Sequence, residues 1–104
     1  MKFCFYYITT PNKKIAQKIS LHLLKKRLVA CTNIIPGMES HFRWQNKLHK
    51  DREVILILKS KKSLFKKIAS EVKRLHPYEC PCIVTLSLAA GERNYLKWLA
   101  NQVM

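Results

Sequence analysis

The order in which two kinds of sequence pattern follow each other constrains the fold of this chain more than any other feature. The first kind is a short run rich in β-branched and aromatic residues, as in FCFYYIT (3–9), which favours a strand. The second kind has apolar residues at helical spacing on one side and lysines on the other, as in residues 12–26, where Ile15, Ile19 and Leu23 share a face. The two kinds alternate, so the chain must combine a sheet with amphipathic helices.

The rest of the chain extends this alternation. Pro36-Gly37 interrupts or bends the second strand, and Pro77 restricts the residue before it, so the second long helix should stop near Leu75. Either Ser60 or Ser63 is a candidate cap for that helix. The predicted elements are a strand over 28–35, a partner strand over 39–47 with a turn at 45–47, a strand over 52–60, a helix over 64–75, a strand over 82–89 and a short helix over 92–103.

This order, β-α-β-β-α-β plus a terminal helix, is typical of a ferredoxin-like α+β sandwich. Both long helices are expected to cover one face of the sheet. The other face must then be wet, bind something or be buried against another subunit. Period-two alternation divides the first strand into two sides, and both are apolar or aromatic, as expected of a strand covered twice. One side carries Phe3, Phe5 and Tyr7, and the other carries Cys4, Tyr6 and Ile8.

The length of 104 residues predicts one domain, spanning 1–104. No apolar run approaches the roughly 18 residues of a membrane span, so we expect no membrane association. The start, MKFCFYYITT, is short for a secretory signal and is interpreted as the first strand of a cytoplasmic protein. In that compartment the four cysteines are expected to be reduced thiols. They are Cys4, Cys31, Cys80 and Cys82.

The chain carries 20 Lys and Arg against 6 Asp and Glu, a formal net charge of +14. This charge favours polyanionic partners such as nucleic acid, anionic lipid or acidic proteins. Compositional drift toward lysine, with the lysine stripes of both helices forming a solvated face, is the alternative. Because the only glycines are Gly37 and Gly91, a glycine-rich phosphate loop is excluded.

The stretch RLHPYECPC (74–82) concentrates chemically active side chains. Copper(I) prefers thiolate and imidazole ligands, which makes His76, Cys80 and Cys82 candidate ligands. Alternatively the stretch is structural: the prolines fix a corner, His76 donates to the last helix carbonyls, and Glu79 meets a nearby cation. A catalytic Cys-His pair is a third interpretation, but no oxyanion donor or substrate pocket is readable from the sequence.

Four strings of the sequence, LVACTNIIPGMESHFRWQNKL, EVILILKS, HPYECP and YLKWL, together resemble the CutA family of divalent-cation tolerance proteins. The resemblance covers almost the whole chain, with the strings in the right order. It implies a ferredoxin-like fold, a tightly packed homotrimer in the cytoplasm, and a role in copper and heavy-metal tolerance without enzymatic activity. A symmetric trimer would also bury the second sheet face and close the strand edges.

The resemblance implies a copper site that this chain only partly retains. The family ligands are a cysteine at the end of the first strand, a histidine pair before the HPYE proline, and an acidic residue after the last proline of that motif. Here Ile8, Thr9 and Thr10 end the strand without a cysteine. Leu75 replaces the first histidine and Cys82 replaces the acid, which leaves His76 and Cys82 as the predicted metal ligands.

Other residues fall near subunit clefts by the same resemblance, among them Asn33, Arg43, Trp44 and Tyr95. A small anion or metabolite pocket framed by Lys59, Tyr78, Glu79 and Trp98 is predicted, with interface packing as the alternative. The alternative function is an RNA- or polyanion-binding module, since RNA-recognition domains share the element order and stack bases on an open sheet. The basic-Gly-aromatic signature of that class is absent, and the lysine stripes lie on the helices.

Overall fold

The computed structural model describes residues 1–104 as a four-stranded sheet with three helices. A 3-10 turn at Lys62–Leu64 leads into the second helix. The elements are β1 (Phe3–Thr10), α1 (Lys13–Lys25), β2 (Cys31–Trp44), β3 (Lys47–Lys61), α2 (Phe65–Leu75), β4 (Ile83–Ser87) and α3 (Arg93–Gln102). The strands lie in the order β2-β3-β1-β4, and every neighbouring pair is antiparallel. The order of strands and helices along the chain is the predicted one.

The core lies between the two long helices and one face of the sheet. Alternate residues of β1 and β3 point into it, because successive side chains of a strand face opposite sides. The apolar stripes of α1 and α2 meet them there. The fully buried members of this cluster include Cys4, Tyr6, Ile8, Leu56 and Leu58 from the strands, and Ile19, Leu23, Ile68 and Val72 from the helices.

The second strand differs from the prediction. Residues 28–35 and 39–47 were expected as separate strands, but β2 is one strand that pairs with β3 along its length, and the ladder is irregular between Ile35 and Met38. Pro36 has no N–H for the ladder, and Gly37 takes a left-handed φ of 85°, so the chain bends there without leaving the sheet. Leu28 and Val29 belong to the buried core ahead of the strand.

Past the end of β1, β2 and β3 continue to pair only with each other and form a two-stranded arm, residues 38–53. β1 pairs with β3 only as far as Val54, so the arm has no third strand. Its tip is a two-residue turn at Gln45 and Asn46, both with positive φ (50° and 63°), close to the predicted turn at 45–47. Isolated two-stranded hairpins are marginally stable in water, so the arm depends on contacts elsewhere.

The helix ends show how local sequence fixes the chain direction. The side chain of Asn12 accepts a hydrogen bond from the N–H of Ile15 (2.9 Å) and caps α1. The predicted serine caps of α2 are wrong: its first turn follows the 3-10 turn, and Leu64 occupies the cap position with no side-chain hydrogen bond. The predicted end of α2 at Leu75 is confirmed.

Arg27 joins the first helix to the last one. It follows α1 in a left-handed conformation (φ 56°). Its guanidinium donates to the carbonyls of Asn101 (2.9 Å) and Gln102 (3.1 Å), and its own carbonyl accepts from the N–H of Met104 (3.0 Å). A side chain that occupies otherwise unpaired terminal carbonyls stabilises a helix end, so Arg27 holds α3 in place.

Candidate functional site

A cleft of about 530 Å³ lies where the arm meets the segment between α2 and β4. We call it the arm cleft. Its walls come from the end of β1, both strands of the arm and residues 78–82. The lining residues are Thr9, Ser40, His41, Phe42, Trp44, Asp51, Glu53, Tyr78, Glu79, Cys80 and Cys82.

The register of the arm determines which side chains reach the cleft. Ser40 pairs with Asp51 and Met38 pairs with Glu53, and paired residues of an antiparallel ladder lie on the same face. Phe42 and Trp44 follow Ser40 at intervals of two and therefore share that face. One face of the arm thus presents the rings of Phe42 and Trp44 on β2 and the carboxylates of Asp51 and Glu53 on β3. His49 of β3 shares this face and stacks on Phe42, with ring centroids 5.3 Å apart.

Tyr78 and Glu53 connect the two walls of the cleft. The Tyr78 hydroxyl donates a 2.8 Å hydrogen bond to Oε2 of Glu53. Glu53 is only 9% exposed, and its other oxygen accepts no hydrogen bond. Burial, and after it the hydrogen bond to the Glu53 carboxylate, raises the pKa of the Tyr78 hydroxyl well above its usual value. The phenol therefore stays protonated and continues to donate to Glu53.

His76 lies beside the cleft, and both of its ring nitrogens are occupied. The backbone N–H of Tyr78 donates to Nδ1 (3.1 Å), so the ring proton lies on Nε2, which donates to the carbonyl of Thr9 (2.8 Å). The ring also packs at a tilt against that of Tyr78, with centroids 4.7 Å apart. Of the expected donation by His76 to the last helix carbonyls, only the backbone part is seen: its N–H donates to the carbonyl of Val72 (2.9 Å), whereas its side chain ties the 76–78 corner to the end of β1.

The two thiols of the motif both line the cleft and are free. Burial, and then the negative charge of Glu53, raises the pKa of the Cys82 thiol, which disfavours the thiolate that a soft metal needs. No three His, Cys, Asp or Glu side chains in the structure converge as metal ligands would. The residues present therefore do not fit a preformed metal centre, and a metal on His76 would have to displace one of its two hydrogen bonds.

The remaining positions of the copper pattern face away from the cleft or carry no ligand. Ile8 is fully buried on the helix side of the sheet, and Leu75 packs against the same core. Thr9, one residue after Ile8, is the β1 residue that reaches the cleft. Metal binding by His76 and Cys82 stays a prediction from the sequence, and the two engaged ring nitrogens of His76 favour a structural role for that residue instead.

The predicted ligand pocket is only partly assembled within one chain. Tyr78 and Glu79 line the arm cleft, whereas Lys59 and Trp98 do not. The Lys59 ammonium lies 5.2 Å from the ring centre of Phe5 on the open face of the sheet, and Trp98 packs against Tyr95 on α3. The expected ion pair of Glu79 is also absent: no cationic nitrogen lies within 4.0 Å of its carboxylate.

Sequence reasoning missed Phe42, Asp51 and Glu53 as cleft residues. Glu53 lies 25 positions from Tyr78, and no spacing rule links them. The available signal was the spacing of two between Ser40, Phe42 and Trp44, which places their side chains on one face of a strand. It becomes informative only once the hairpin register is known, because a slip of one residue would move every side chain to the other face.

A second concavity, of about 570 Å³, lies beside the two long helices, and three of its seven lining residues are lysines. Its single carboxylate, Glu71, is already engaged by His22 (2.7 Å), Arg74 (3.1 Å) and Lys26 (3.2 Å). The hydrogen bond from His22, followed by those from Arg74 and Lys26, lowers the pKa of Glu71 to about 2. This network links α1 to α2 and leaves no free carboxylate for a ligand.

Known proteins match the chain over nearly its whole length. The sequence pattern of the family described as CutA1 divalent ion tolerance protein matches residues 4–102. The divalent-cation tolerance protein CutA of Thermus thermophilus is 45% identical over 92 residues, which are 88% of this chain and 89% of that relative. The chain is 36% identical to protein CutA, chloroplastic, of Arabidopsis thaliana over 91% of its own length, but spans only about half (52%) of that relative.

Solved structures agree in three dimensions. The divalent cation tolerance protein Cut A1 from Thermus thermophilus superimposes with a TM-score of 0.95 at 40% identity, covering 98% of this chain and 99% of the other. Both its sequence and its architecture therefore place the chain in the CutA1 family of divalent ion tolerance proteins.

Proposed function

We propose that this protein is a non-enzymatic cytoplasmic homotrimer of the divalent-cation tolerance type, with a ferredoxin-like subunit, that binds a metal ion or a small ligand near its subunit clefts. The family membership supports the tolerance role, and the element order with the sheet order β2-β3-β1-β4 supports the ferredoxin-like subunit. The observation that carries the proposed assembly is the open face of the sheet.

That face is apolar over all four strands. The register places Phe5 of β1 beside Leu86 of β4, and Tyr7 beside Val84. Ile35 of β2 lies beside Ile55 of β3 on the same side. Val84, Leu86 and Ile35 are 45–48% exposed in the single chain. A soluble monomer rarely leaves a contiguous apolar surface of this kind uncovered, so copies of the chain are expected to cover it.

The arm supports the same assembly. It projects from the sheet, which gives the chain a longest dimension of 45 Å against 27 and 23 Å. Leu48, next to its tip, is 78% exposed. A partner subunit would supply the contacts that a two-stranded hairpin lacks, and it would place the arm cleft at a subunit boundary.

Light scattering on a sizing column tests the assembly. Three chains of 12.2 kDa give 36.6 kDa, whereas a monomer gives 12.2 kDa. We expect the trimer mass for the natural chain and dissociation for Leu86→Lys, which places a charge among the apolar side chains of that face, beside Phe5. Thr85→Lys is the matched control, because Thr85 pairs with Tyr6 and faces the other side of β4. A monomeric natural chain would contradict the proposed trimer.

The proposed metal ion is described only as a cation and not as a particular metal. The carboxylates and thiols of the arm cleft suit a cation, but the copper expected from the resemblance finds no converging set of three ligands. We therefore propose a cation as the ligand of the arm cleft and do not name copper as that cation.

Absence of catalysis is supported by the geometry of His76. A general base needs a free nitrogen lone pair, and Nδ1 of His76 already accepts the Tyr78 N–H while Nε2 bonds to Thr9. Cys80 is exposed and has no hydrogen bond from an imidazole that would activate it. The names of the relatives describe tolerance proteins and not enzymes.

Cytoplasmic residence is supported by the four free cysteines, since exposed Cys80 and Cys82 would be prone to oxidation in an oxidising compartment. No helix of the structure is long and apolar enough to cross a membrane. Fractionation of cells that express the chain, with a thiol-labelling assay, tests this location.

The alternative of an RNA- or polyanion-binding module is not favoured. Its binding platform would be the open sheet face, which is largely aliphatic at Ile35, Ile55, Ile57, Val84 and Leu86. The lysine-rich surface lies on the helices, on the opposite side of the sheet. Apart from Lys59 beside Phe5, stacking rings and phosphate-binding charges therefore do not coincide.

A further inference from the structure

The arm cleft gathers the carboxylates that have no cationic partner. Of the six acidic residues, Glu39 and Glu71 form ion pairs and Glu92 caps α3. The other three are Asp51, Glu53 and Glu79, and all three line the arm cleft. No Lys, Arg or His nitrogen lies within 4.0 Å of them, in a chain with 20 Lys and Arg residues.

Glu53 makes this arrangement more than an acidic surface. It is nine-tenths buried, its single hydrogen bond comes from a neutral phenol, and its Oε1 atom has no partner. Its Oε1 atom opens onto the cleft, and a carboxylate that has little exposed surface and no counter-charge attracts a cation that can reach its free oxygen. The arm cleft is the open approach to that oxygen.

The other wall of the cleft indicates the kind of cation. Phe42 and Trp44 expose ring surface next to the carboxylates, and Tyr78 adds a third ring. Aromatic faces attract alkylammonium ions through the negative charge of the ring face, and they cover the apolar part of such ions. A bare metal ion would gain little from these rings, and the structure offers it no set of three converging ligands.

We propose that the arm cleft binds an organic ammonium ion, with Glu53 as its charge partner and Phe42 and Trp44 as its aromatic walls. This inference deepens the proposed function and rests on it, since it names the ligand class for the cation-binding cleft. A volume of about 530 Å³ accommodates a small organic molecule. The net charge of +14 does not prevent binding, because distant surface charges are screened beyond roughly 8 Å at physiological ionic strength.

A fluorescence titration of the full chain tests the proposal. Trp98→Phe leaves Trp44 as the only tryptophan and therefore as a reporter within the cleft. The probe is n-butylammonium chloride, and n-butanol at equal ionic strength is the neutral control of similar shape. We expect a saturable change in Trp44 emission with the ammonium ion and a much weaker response to butanol.

Three substitutions in the Trp98→Phe background locate the binding site. Glu53→Gln keeps an acceptor for Tyr78 but removes the charge, and it is expected to weaken butylammonium binding about tenfold or more. Phe42→Leu removes one aromatic wall and is expected to weaken binding about two- to fivefold. Glu92→Gln, the same chemical change at the start of α3 and outside the cleft, is the matched control and is expected to have no effect.

Absence of a saturable butylammonium response overturns the proposal, as does equal binding of butanol. If Glu53→Gln then weakens self-association, the cation is a side chain of a neighbouring copy. If Zn²⁺ binds in a Glu53-dependent manner while butylammonium does not, the cleft is a metal site. Light scattering on the same samples distinguishes the amine inference from the proposed function. A trimer that binds no amine overturns only the amine inference, whereas a monomer overturns the proposed function.

Discussion

The hydroxyl of Tyr78 donates a 2.8 Å hydrogen bond to the buried carboxylate of Glu53 and so joins the segment after α2 to the third strand of the sheet. Each residue restrains the other: burial and then the carboxylate raise the pKa of the phenol, and the phenol is the only hydrogen-bond donor to the carboxylate. Because this bond lies at the base of the arm and joins two residues of the arm cleft, its loss should affect both stability and ligand binding.

Tyr78→Phe should therefore destabilise the protein without altering its shape. It leaves the Glu53 carboxylate buried with no donor, which should lower the free energy of unfolding by about 1–3 kcal/mol. Urea unfolding at a fixed protomer concentration measures the effect. Tyr95→Phe is the control, because the Tyr95 hydroxyl has no hydrogen bond within the chain, and a change within about 0.5 kcal/mol is expected there. Equal effects of the two substitutions would contradict the prediction.

Acid should weaken the link between α1 and α2. The pKa of Glu71 is lowered to about 2, chiefly by the hydrogen bond from His22, so its ionised form is favoured in the folded state. The resulting stabilisation is present above the ordinary value of 4.5 and is lost as the pH falls from 4.5 toward 2.

Urea unfolding of the natural chain and of Glu71→Gln at a series of pH values tests this dependence. The stability difference between the two should be largest near neutral pH and should shrink below about pH 4.5. Glu39→Gln is the control, because Glu39 is more than half exposed and its ion pairs lie on the arm. A difference for Glu71→Gln that stays constant from pH 7 to pH 3 would rule out the prediction.

Substitutions of Arg27 should show an unusual order of stability. Glycine at this position removes the contacts to the end of α3 but also removes the cost of a left-handed conformation. Alanine removes the same contacts and keeps that cost. We expect both variants to be less stable than the natural chain, and Arg27→Ala to be less stable than Arg27→Gly by about 1 kcal/mol. Thermal and urea unfolding measure the order, and the reverse order would show that the backbone conformation contributes nothing.

His76 should behave as a structural residue in metal titrations. Competitive copper(I) titration of the natural chain and of His76→Ala is expected to give the same affinity, because both ring nitrogens are engaged. The same variant should lose about 1–3 kcal/mol of stability, since the Thr9 carbonyl and the Tyr78 N–H lose their partner. Cys82→Ser, which keeps the corner intact, is the matched control. Loss of copper affinity in His76→Ala at unchanged stability would contradict this prediction and support the ligand role that the sequence predicts for His76.

The elements of the fold were predictable because their signals are local. The apolar stripe of α1 recurs every three to four residues, and Pro77 marks the end of α2. The continuity of β2 was not predictable, since Pro36 and Gly37 are as common in a turn between two strands as in a bend within one. Only the pairing of both halves with β3 distinguishes the two cases.

The candidate site was predictable in part for the same reason. The motif at 74–82 drew attention to Tyr78, Glu79 and the two cysteines, all of which line the cleft. Glu53 and the Thr9 carbonyl were out of reach, because they lie 25 and 67 positions from their partners. Contacts of that range depend on sheet register and on the bend of β2, which no short string encodes.

The turn at Gln45 and Asn46 lies at the far end of a hairpin that no other strand of the chain supports. If sister subunits hold that hairpin in place, then dilution alone should loosen it, and a protease should cut there increasingly as the protein concentration falls. The rate of cleavage at the tip of the hairpin would then depend on the protein concentration, so that one peptide bond reports how much of the protein is present.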